Sequence, residues 1–405
     1  MLQIFCHQVL IFFNIISLTA TQADISEFFD SHCESRCNFL EEHLNSKTKA
    51  SFPTGCSTVC ANLLIDDSTD ISQDKMTLLF KNIKVLYGSL HVYRTNYTSG
   101  RFLAGLKVIE CDSNGVFMWD ENQNMIEIGM TSLTTCFCNF DVNYNSNMKW
   151  MNLPNLRNFS SINSNSTQRQ IEMVIYSMPS NFCISIQEIS NFIQNSNLYM
   201  GDLPKTFCPI TSDFISGEKV CQFGIDATTL RNMTSNCVRV SGNITIEAGD
   251  EEFVYKLKSM KYLFGSLKIF NVNLTQVDFL SSLEYVVTLD NKPAIEMLSN
   301  HFVLNFTLPS IKRVRSTIQE WLYFALIEDE LEAFIFKQPN VCSPFTDIYG
   351  RTVLYSTQIA GVHCEDKVPN VPSRNFPTSG RDNSAFSLHG CFQTIIFMIF
   401  VHFIC

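Results

Sequence analysis

The residues with decisive chemistry here are sixteen cysteines and eight histidines. Four thiols at short spacing can hold zinc, and in an oxidising compartment the same set forms disulfides. The first four stand as Cys33-xxx-Cys37 and Cys56-xxx-Cys60. Ile25 to Leu44 carries Phe29, Cys33, Cys37, Leu40 and Leu44 at helical spacing, and Pro53 and Gly55 then turn the chain. An antiparallel return pairs Cys37 with Cys56 and Cys33 with Cys60. Closing the inner loop contributes about 3 kcal/mol on a chain-entropy account. A four-thiolate zinc site is the weaker reading of these residues in a secreted chain. Cys136-x-Cys138 sets two sulfurs on one face of a strand, each joined to a different partner. His7, His389 and His402 lie in apolar ends, and His32, His43, His91, His301 and His363 are scattered without metal-ligand spacing. GxSxG, HExxH, P-loop and CxxC motifs are absent from the sequence. No catalytic residue, metal ligand or cofactor is assigned, and the chain is read as a non-enzyme. Asp250-Glu251-Glu252 reads as a solvated turn rather than a calcium site.

The ends set the compartment. Met1 to Ala23 lacks Asp, Glu, Lys and Arg, holds the apolar run Val9 to Leu18, and finishes Thr21-Gln22-Ala23. That reads as a signal peptide, residues 1–23. The far end has no Asp, Glu, Lys or Arg after Asp382, with small residues at Asn383-Ser384-Ala385 and an apolar tail from Ile395 to Cys405. Small site, spacer and greasy tail are the signal for a glycosylphosphatidylinositol anchor attached at Asn383, and a retained transmembrane helix is the alternative. Seven Asn-x-Ser/Thr sequons, at Asn96, Asn158, Asn165, Asn232, Asn243, Asn273 and Asn305, mark expected glycosylated surface. The expected location is therefore the extracellular face of the plasma membrane. Removing Cys6, Cys391 and Cys405 with the processed ends leaves thirteen cysteines, an odd number: one is free, or bridges two chains, or Cys391 survives. A net charge of −10 disfavours a nucleic-acid partner.

The positioning elements emerge from an internal repeat. Lys81 to Leu106 and Lys258 to Leu283 align without a gap at an offset of 177, with eleven identities in twenty-six positions. These include Gly88/Gly265, Ser89/Ser266, Leu90/Leu267, Asn96/Asn273, Phe102/Phe279, Leu103/Leu280 and Leu106/Leu283. After each Gly-Ser, apolar Leu90 and Val92, or Leu267 and Ile269, alternate with outward residues, as in a half-buried strand. Strand, polar turn and Leu-rich corner recurring every 20–30 residues is a solenoid pattern. The stapled N-terminal helix suits one cap, and the pair Cys342 and Cys364 suits the last coil. Candidates for an outward binding face are His91, Tyr93, Phe117 and Trp119 in copy one, and Lys268 and Phe270 in copy two; exposed aromatics on a rigid sheet make good anchors. The Asn-rich stretch Asn139 to Asn165 reads as a long glycosylated loop.

The run "GSL-strand-x-x-N, then F-L-x-x-L" resembles the receptor L domain of insulin-receptor and epidermal-growth-factor-receptor ectodomains. Cys237-Val-Arg-Val-Ser-Gly-Asn-Ile-Thr-Ile and Cys60-Ala-Asn-Leu-Leu-Ile are similar to that family's entry strand. The resemblance covers Cys33 to Cys364 and occurs twice. It implies a mainly β fold with minor α: two right-handed β-solenoid L domains, leucine-rich-repeat-like and disulfide-stapled. The expected division is 24–208 for the first L domain with its N-terminal helical cap, 209–364 for the second, 365–383 for a stalk and 384–405 for the anchor signal. Cys183 to Cys237 holds only four cysteines, so the long cysteine-rich module between the receptors' L domains is missing. The chain thus looks like a kinase-lacking, nematode-type member with two L domains. The resemblance implies a membrane-anchored protein that captures or presents a secreted insulin-like or growth-factor-like peptide. The alternative is an adhesive surface glycoprotein that binds other glycoproteins or itself.

Overall fold

A computed structural model describes residues 26–112, 115–161, 169–290, 292–300, 305–306, 308–316, 322–325, 358–359 and 362–363. Both repeats lie within one of two compact units, Cys33–Pro369; of the other, only residues 26–32 are described, and they are helical. The described residues are mainly β with few helices.

Four central coils of copy one each contribute a strand to a narrow sheet, turn, and contribute a strand to a broad sheet, and the end coils add to one sheet alone. The narrow sheet runs Asn38–Phe39, Thr58–Ala61, Val85–Tyr87, Val108–Glu110 and Thr135–Phe137, parallel throughout. The broad sheet runs Leu63–Ile65, Leu90–Tyr93, Val116–Asp120, Asn139–Asn143, Ile171–Tyr176 and Leu198–Met200, also parallel. Inward residues of both sheets form one core, among them Val59, Leu86 and Ile109 facing Leu63, Leu90, Phe117, Phe140 and Met173. Copy two repeats the plan. Glu218–Gln222, Arg239–Ser241, Tyr262–Phe264, Tyr285–Val287 and Arg313–Arg315 make its narrow sheet, and Ile244–Ile246, Leu267–Phe270, Ile295–Leu298 and Leu322–Ala325 its broad one.

The repeat motif has a physical cause at each position. Gly88 and Gly265 sit at φ +121° and +147°, where the chain turns from narrow to broad sheet against the backbone of the preceding coil. The next amide, of Ser89 or Ser266, donates to the side-chain carbonyl of Asn62 or Asn243 on that coil, 2.9 Å in each case. Phe102 and Leu103 are buried in a 3-10 corner, Arg101–Leu103, with Leu106 buried just beyond it, and Phe279, Leu280 and Leu283 are buried at the matching turn of copy two. Between coils, buried asparagines hold the turns. Asn122 donates to the carbonyls of Val92 and Asp120 and accepts from Thr95; Asn145 donates to those of Trp119 and Asn143 and accepts from Asn122. Asn300 does the same for Ile269 and Val272. The Asn-rich stretch is therefore no single long loop: Asn139–Asn143 is a strand and Asn145 a buried rung of this ladder. A buried amide that satisfies backbone groups on two coils outweighs its polarity. Helix Ile186–Ile193 opens with a Ser185/Glu188 capping box and buries Ile186, Ile189, Phe192 and Ile193.

The disulfides join Cys33–Cys60, Cys37–Cys56, Cys111–Cys138, Cys183–Cys208 and Cys221–Cys237. The segment expected as one helix over Ile25 to Leu44 is not one: helix stops at His32, and a 3-10 turn Ser35–Cys37 and strand Asn38–Phe39 follow. That strand pairs parallel, not antiparallel, with Thr58–Ala61, Asn38 opposite Cys60. Main-chain pairing to the first coil overrides the weak helical stripe. Cys136 is a buried free thiol, and burial pushes its pKa up to about 12. Cys342, Cys364 and Asn383 lie outside the described residues, as does the apolar tail. Among the described residues, no helix is long and apolar enough to cross a membrane.

Copy two's narrow sheet buries apolar residues on both faces. Val240, Leu263 and Val286 point into its own core, whereas Tyr262, Phe264 and Val287 join the core of copy one, with Phe264 5.9 Å from Phe207 ring to ring. Arginines close this seam. Arg313 donates to the carbonyls of Asn195 and Leu198, and Arg315 to those of Met200 and Gly201, covering the free edge of copy one's last strand. Desolvation, with Arg315 alongside, lowers Arg313 to about 10. Arg313→Met should leave the Asn195 and Leu198 carbonyls without this donor and weaken the seam by about 2–3 kcal/mol. Protease nicking of the connection near Ser212 should accelerate; an unchanged digestion rate would show that apolar contact alone holds the copies together.

Candidate functional site

The outer face of copy one's broad sheet presents two rows, set by the register. One runs Leu64, His91, Met118, Asp141, Val174 across five strands; the other runs Tyr93, Asp120, Asn143, Tyr176 across four. Neighbours along a row stand on strands about 4.8 Å apart. His91 and Tyr93 are half-buried outward residues, 5.5 Å apart ring to ring. Tyr144, 51% exposed, packs edge-on to Tyr176 at 5.5 Å.

Phe117 and Trp119 are not on this face. Both are fully buried, Phe117 stacked on Phe140 at 4.6 Å. The register sets Leu90 opposite Phe117 and Val92 opposite Trp119, so all four point inward. In Val-Phe-Met-Trp-Asp the largest rings fill the core and Val116, Met118 and Asp120 face out, because ring burial gains more than any surface role. Lys268 and Phe270 lie on copy two's broad sheet and so belong to a different face. Lys268 pairs with Glu296 at 3.4 Å and lies 5.7 Å from the Phe270 ring. The residues missed by sequence reasoning are Met118, Asp120, Asp141, Asn143 and Tyr176. The alternation Asp141-Val142-Asn143 was available as a signal but lay inside the Asn-rich run.

The polar groups of the face are unevenly satisfied. Asn143, only 4% exposed, donates to Asp141 at 2.6 Å, yet its Oδ1 is buried without a donor among the described residues. Asp120 Oδ1 and His91 Nε2 are buried and unpaired in the same sense. Each such group costs about 1–3 kcal/mol. Arg94 is taken up by Glu121 at 2.6 Å and by the Tyr93 ring at 4.6 Å. His43 pairs with Asp66 at 2.9 Å beside the first strand of the sheet.

Burial, then the neighbouring Glu121, raises the Asp120 pKa, and burial raises that of Asp141. Burial lowers His91 below its ordinary 6.5, opposed by Asp66 and Asp141. Below 6.5 the unfolded chain takes up a proton at His91 that the folded chain refuses. The contribution of neutral His91 to stability is present above 6.5 and is lost as pH falls toward the folded value. His91→Gln should flatten the loss of thermal stability between neutral pH and the folded His91 value. Parallel curves for the two proteins would show that His91 does not titrate as its burial demands.

Among the expected glycosylation sites, Asn96, Asn232, Asn243 and Asn273 are exposed, whereas Asn158 is half-buried, with Oδ1 accepting from the Ser160 amide. Asn165 and the Asn305 side chain lie outside the described residues. Among the described residues, no group of three or more His, Cys, Asp or Glu side chains could hold a metal ion.

Stacked parallel coils and disulfide staples define a class of binding module suited to an oxidising, extracellular setting. The chain belongs to the receptor L-domain family: the receptor L domain matches residues 55–149 and 236–344, just over half of the chain. Receptor L domains are ligand-binding, non-catalytic domains. No curated protein matches the chain.

Proposed function

We propose that this is an extracellular binding protein that captures or presents a secreted peptide, insulin-like or growth-factor-like, on the outer face of copy one's broad sheet. One observation carries the reading: the outer sheet face brings together Tyr93, Tyr176, His91 and Met118 with buried acceptors that have no donor among the described residues. Aromatic anchors on a stapled scaffold bind with little loss of side-chain freedom. In this reading the chain is a kinase-lacking, nematode-type member with two right-handed solenoid domains, 24–208 and 209–364. It leaves signalling to other proteins. Residues 1–23 direct export, the sequons carry glycans, 365–383 form a stalk, and the tail from residue 384 anchors the chain through Asn383. Phospholipase treatment of expressing cells tests the anchor, since release is expected and retention favours a transmembrane tail.

The binding test is capture of the organism's own secreted peptides by the full chain, comparing wild type with Tyr93→Ala/Tyr176→Ala. A single peptide is expected to co-purify with wild type and to bind at least about tenfold more weakly to the double variant. A peptide that binds both equally would move the site off this face. An odd cysteine that bridged two chains would favour the adhesive alternative. The free thiol among the described residues, Cys136, is buried, which gives that bridge no support here.

A further inference from the structure

We propose that the Asp120 and Asn143 oxygens, set between Tyr93 and Tyr176, receive an arginine side chain presented by the protein ligand. The inference rests on the face proposed above and names the chemistry it recognises.

Four observations converge on a guanidinium. First, Asp120 Oδ1 and Asn143 Oδ1 stand on adjacent strands of one row, both buried and both without a donor among the described residues. Asn143 is the firmer of the two, since its amide nitrogen is already committed to Asp141 and its oxygen alone is left over. Second, two acceptors about one strand spacing apart suit a planar fork of five N–H donors; an ammonium is a compact point charge that reaches one of them well. Third, the row is bounded on each side by a tyrosine, Tyr93 and Tyr176, and a guanidinium stacks on such rings. Arg94 already does so on Tyr93 at 4.6 Å. Tyr144 braces Tyr176 from outside. Fourth, the charge of the face is acidic. Asp66, Asp120, Glu121 and Asp141 lie on or beside it, and its own arginine, Arg94, is spent on Glu121. The strands of both rows contribute no lysine. A partner that brings an arginine therefore supplies donors, charge and a flat surface in one side chain. The flanking Leu64, Met118 and Val174 would take apolar neighbours of that arginine.

The test uses the purified full chain and two probes, N-acetyl-arginine amide and its uncharged analogue N-acetyl-citrulline amide, followed by saturation-transfer NMR. Citrulline keeps the shape and loses the charge. The arginine probe is expected to bind, with citrulline at least tenfold weaker and Asp120→Asn reducing arginine binding at least tenfold. Asp120→Asn removes a partly desolvated carboxylate, so the variant should fold as wild type does at neutral pH, which its melting curve checks. Glu296→Gln on copy two's sheet should leave binding unchanged. Equal binding of the two probes, or arginine binding untouched by Asp120→Asn, overturns the proposal. If Tyr93→Ala/Tyr176→Ala abolishes peptide capture while the arginine probe and Asp120→Asn show no effect, the face stands and the arginine reading falls. If the double variant leaves peptide capture unchanged, the face itself is misassigned.

Discussion

Gly88→Ala is expected to destabilise copy one by on the order of 4 kcal/mol, summing backbone strain and overpacking. A Cβ at this position would stand 2.2 Å from the Ala61 carbonyl oxygen and 2.8 Å from its carbon. These are backbone atoms of the preceding coil and cannot rotate away. The φ of +121° adds strain that an L side chain cannot relieve. The surroundings cannot shift cheaply either. The Gly88 amide donates to Glu110 at 2.8 Å, and the next amide donates to Asn62 at 2.9 Å, so any displacement breaks pairing on both neighbouring coils. Gly265→Ala should behave alike, since its Cβ would meet the Gly242 carbonyl oxygen at 2.4 Å. Gly55→Ala is the control: its Cβ meets nothing within 4 Å. Melting temperature and secreted yield should collapse for the first two substitutions and hold for the third. A Gly88→Ala protein that melts with wild type would mean that the coils are not stacked as described.

Trp119→Ala should cost about 3–5 kcal/mol, the range for a buried aromatic cut to a methyl group. For a unit of this size that lowers the melting midpoint by roughly 10 °C. The indole is fully buried, lies 6.1 Å from Phe117 ring to ring, and fits because Gly100 has no side chain: a Cβ there would stand 2.3 Å from the ring. Trp119→Phe should be much milder. It removes an indole N–H that has no partner among the described residues while keeping most of the volume. Tyr93→Ala, one residue from Val92, the cross-strand partner of Trp119, and on the opposite side of the sheet, should change stability by about 1 kcal/mol or less and act on binding instead. The contrast is the measurement: calorimetry on all three variants separates core from face. A Trp119→Ala protein as stable as Tyr93→Ala would return Trp119 to the surface.

Much of the scaffold was legible because it repeats. Gly-Ser-Leu at two places marks a turn that only glycine can make beside the previous coil, and Phe-Leu-x-x-Leu marks a corner that must be buried. Such features depend on a few neighbouring residues, and chance does not align them twice. The pairings Cys33–Cys60 and Cys37–Cys56 follow from nested spacing, although the strand geometry around them is parallel. The face was less legible. A period-two pattern says that alternate residues share a side without saying which side is wet. In Leu90–Tyr93 the polarity decides, and His91 and Tyr93 do face out. In Val116–Asp120 both sets are largely apolar, and only pairing with Leu90 and Val92 sends Phe117 and Trp119 inward.

The sequence alone determined the oxidising chemistry, the twofold repeat and the β-coil class, because these rest on residue type and local spacing. Tertiary structure decided which residues form a surface. Asp120 and Asn143 are 23 positions apart and become neighbours only when their strands pair in register. The seam between copies is likewise invisible in sequence. Arg313 and Arg315 look like solvated charges on a short strand until the last strand of copy one, more than a hundred residues earlier, brings its open carbonyls against them. A charge is cheap in water and costly when buried, so its meaning depends on what the fold packs against it.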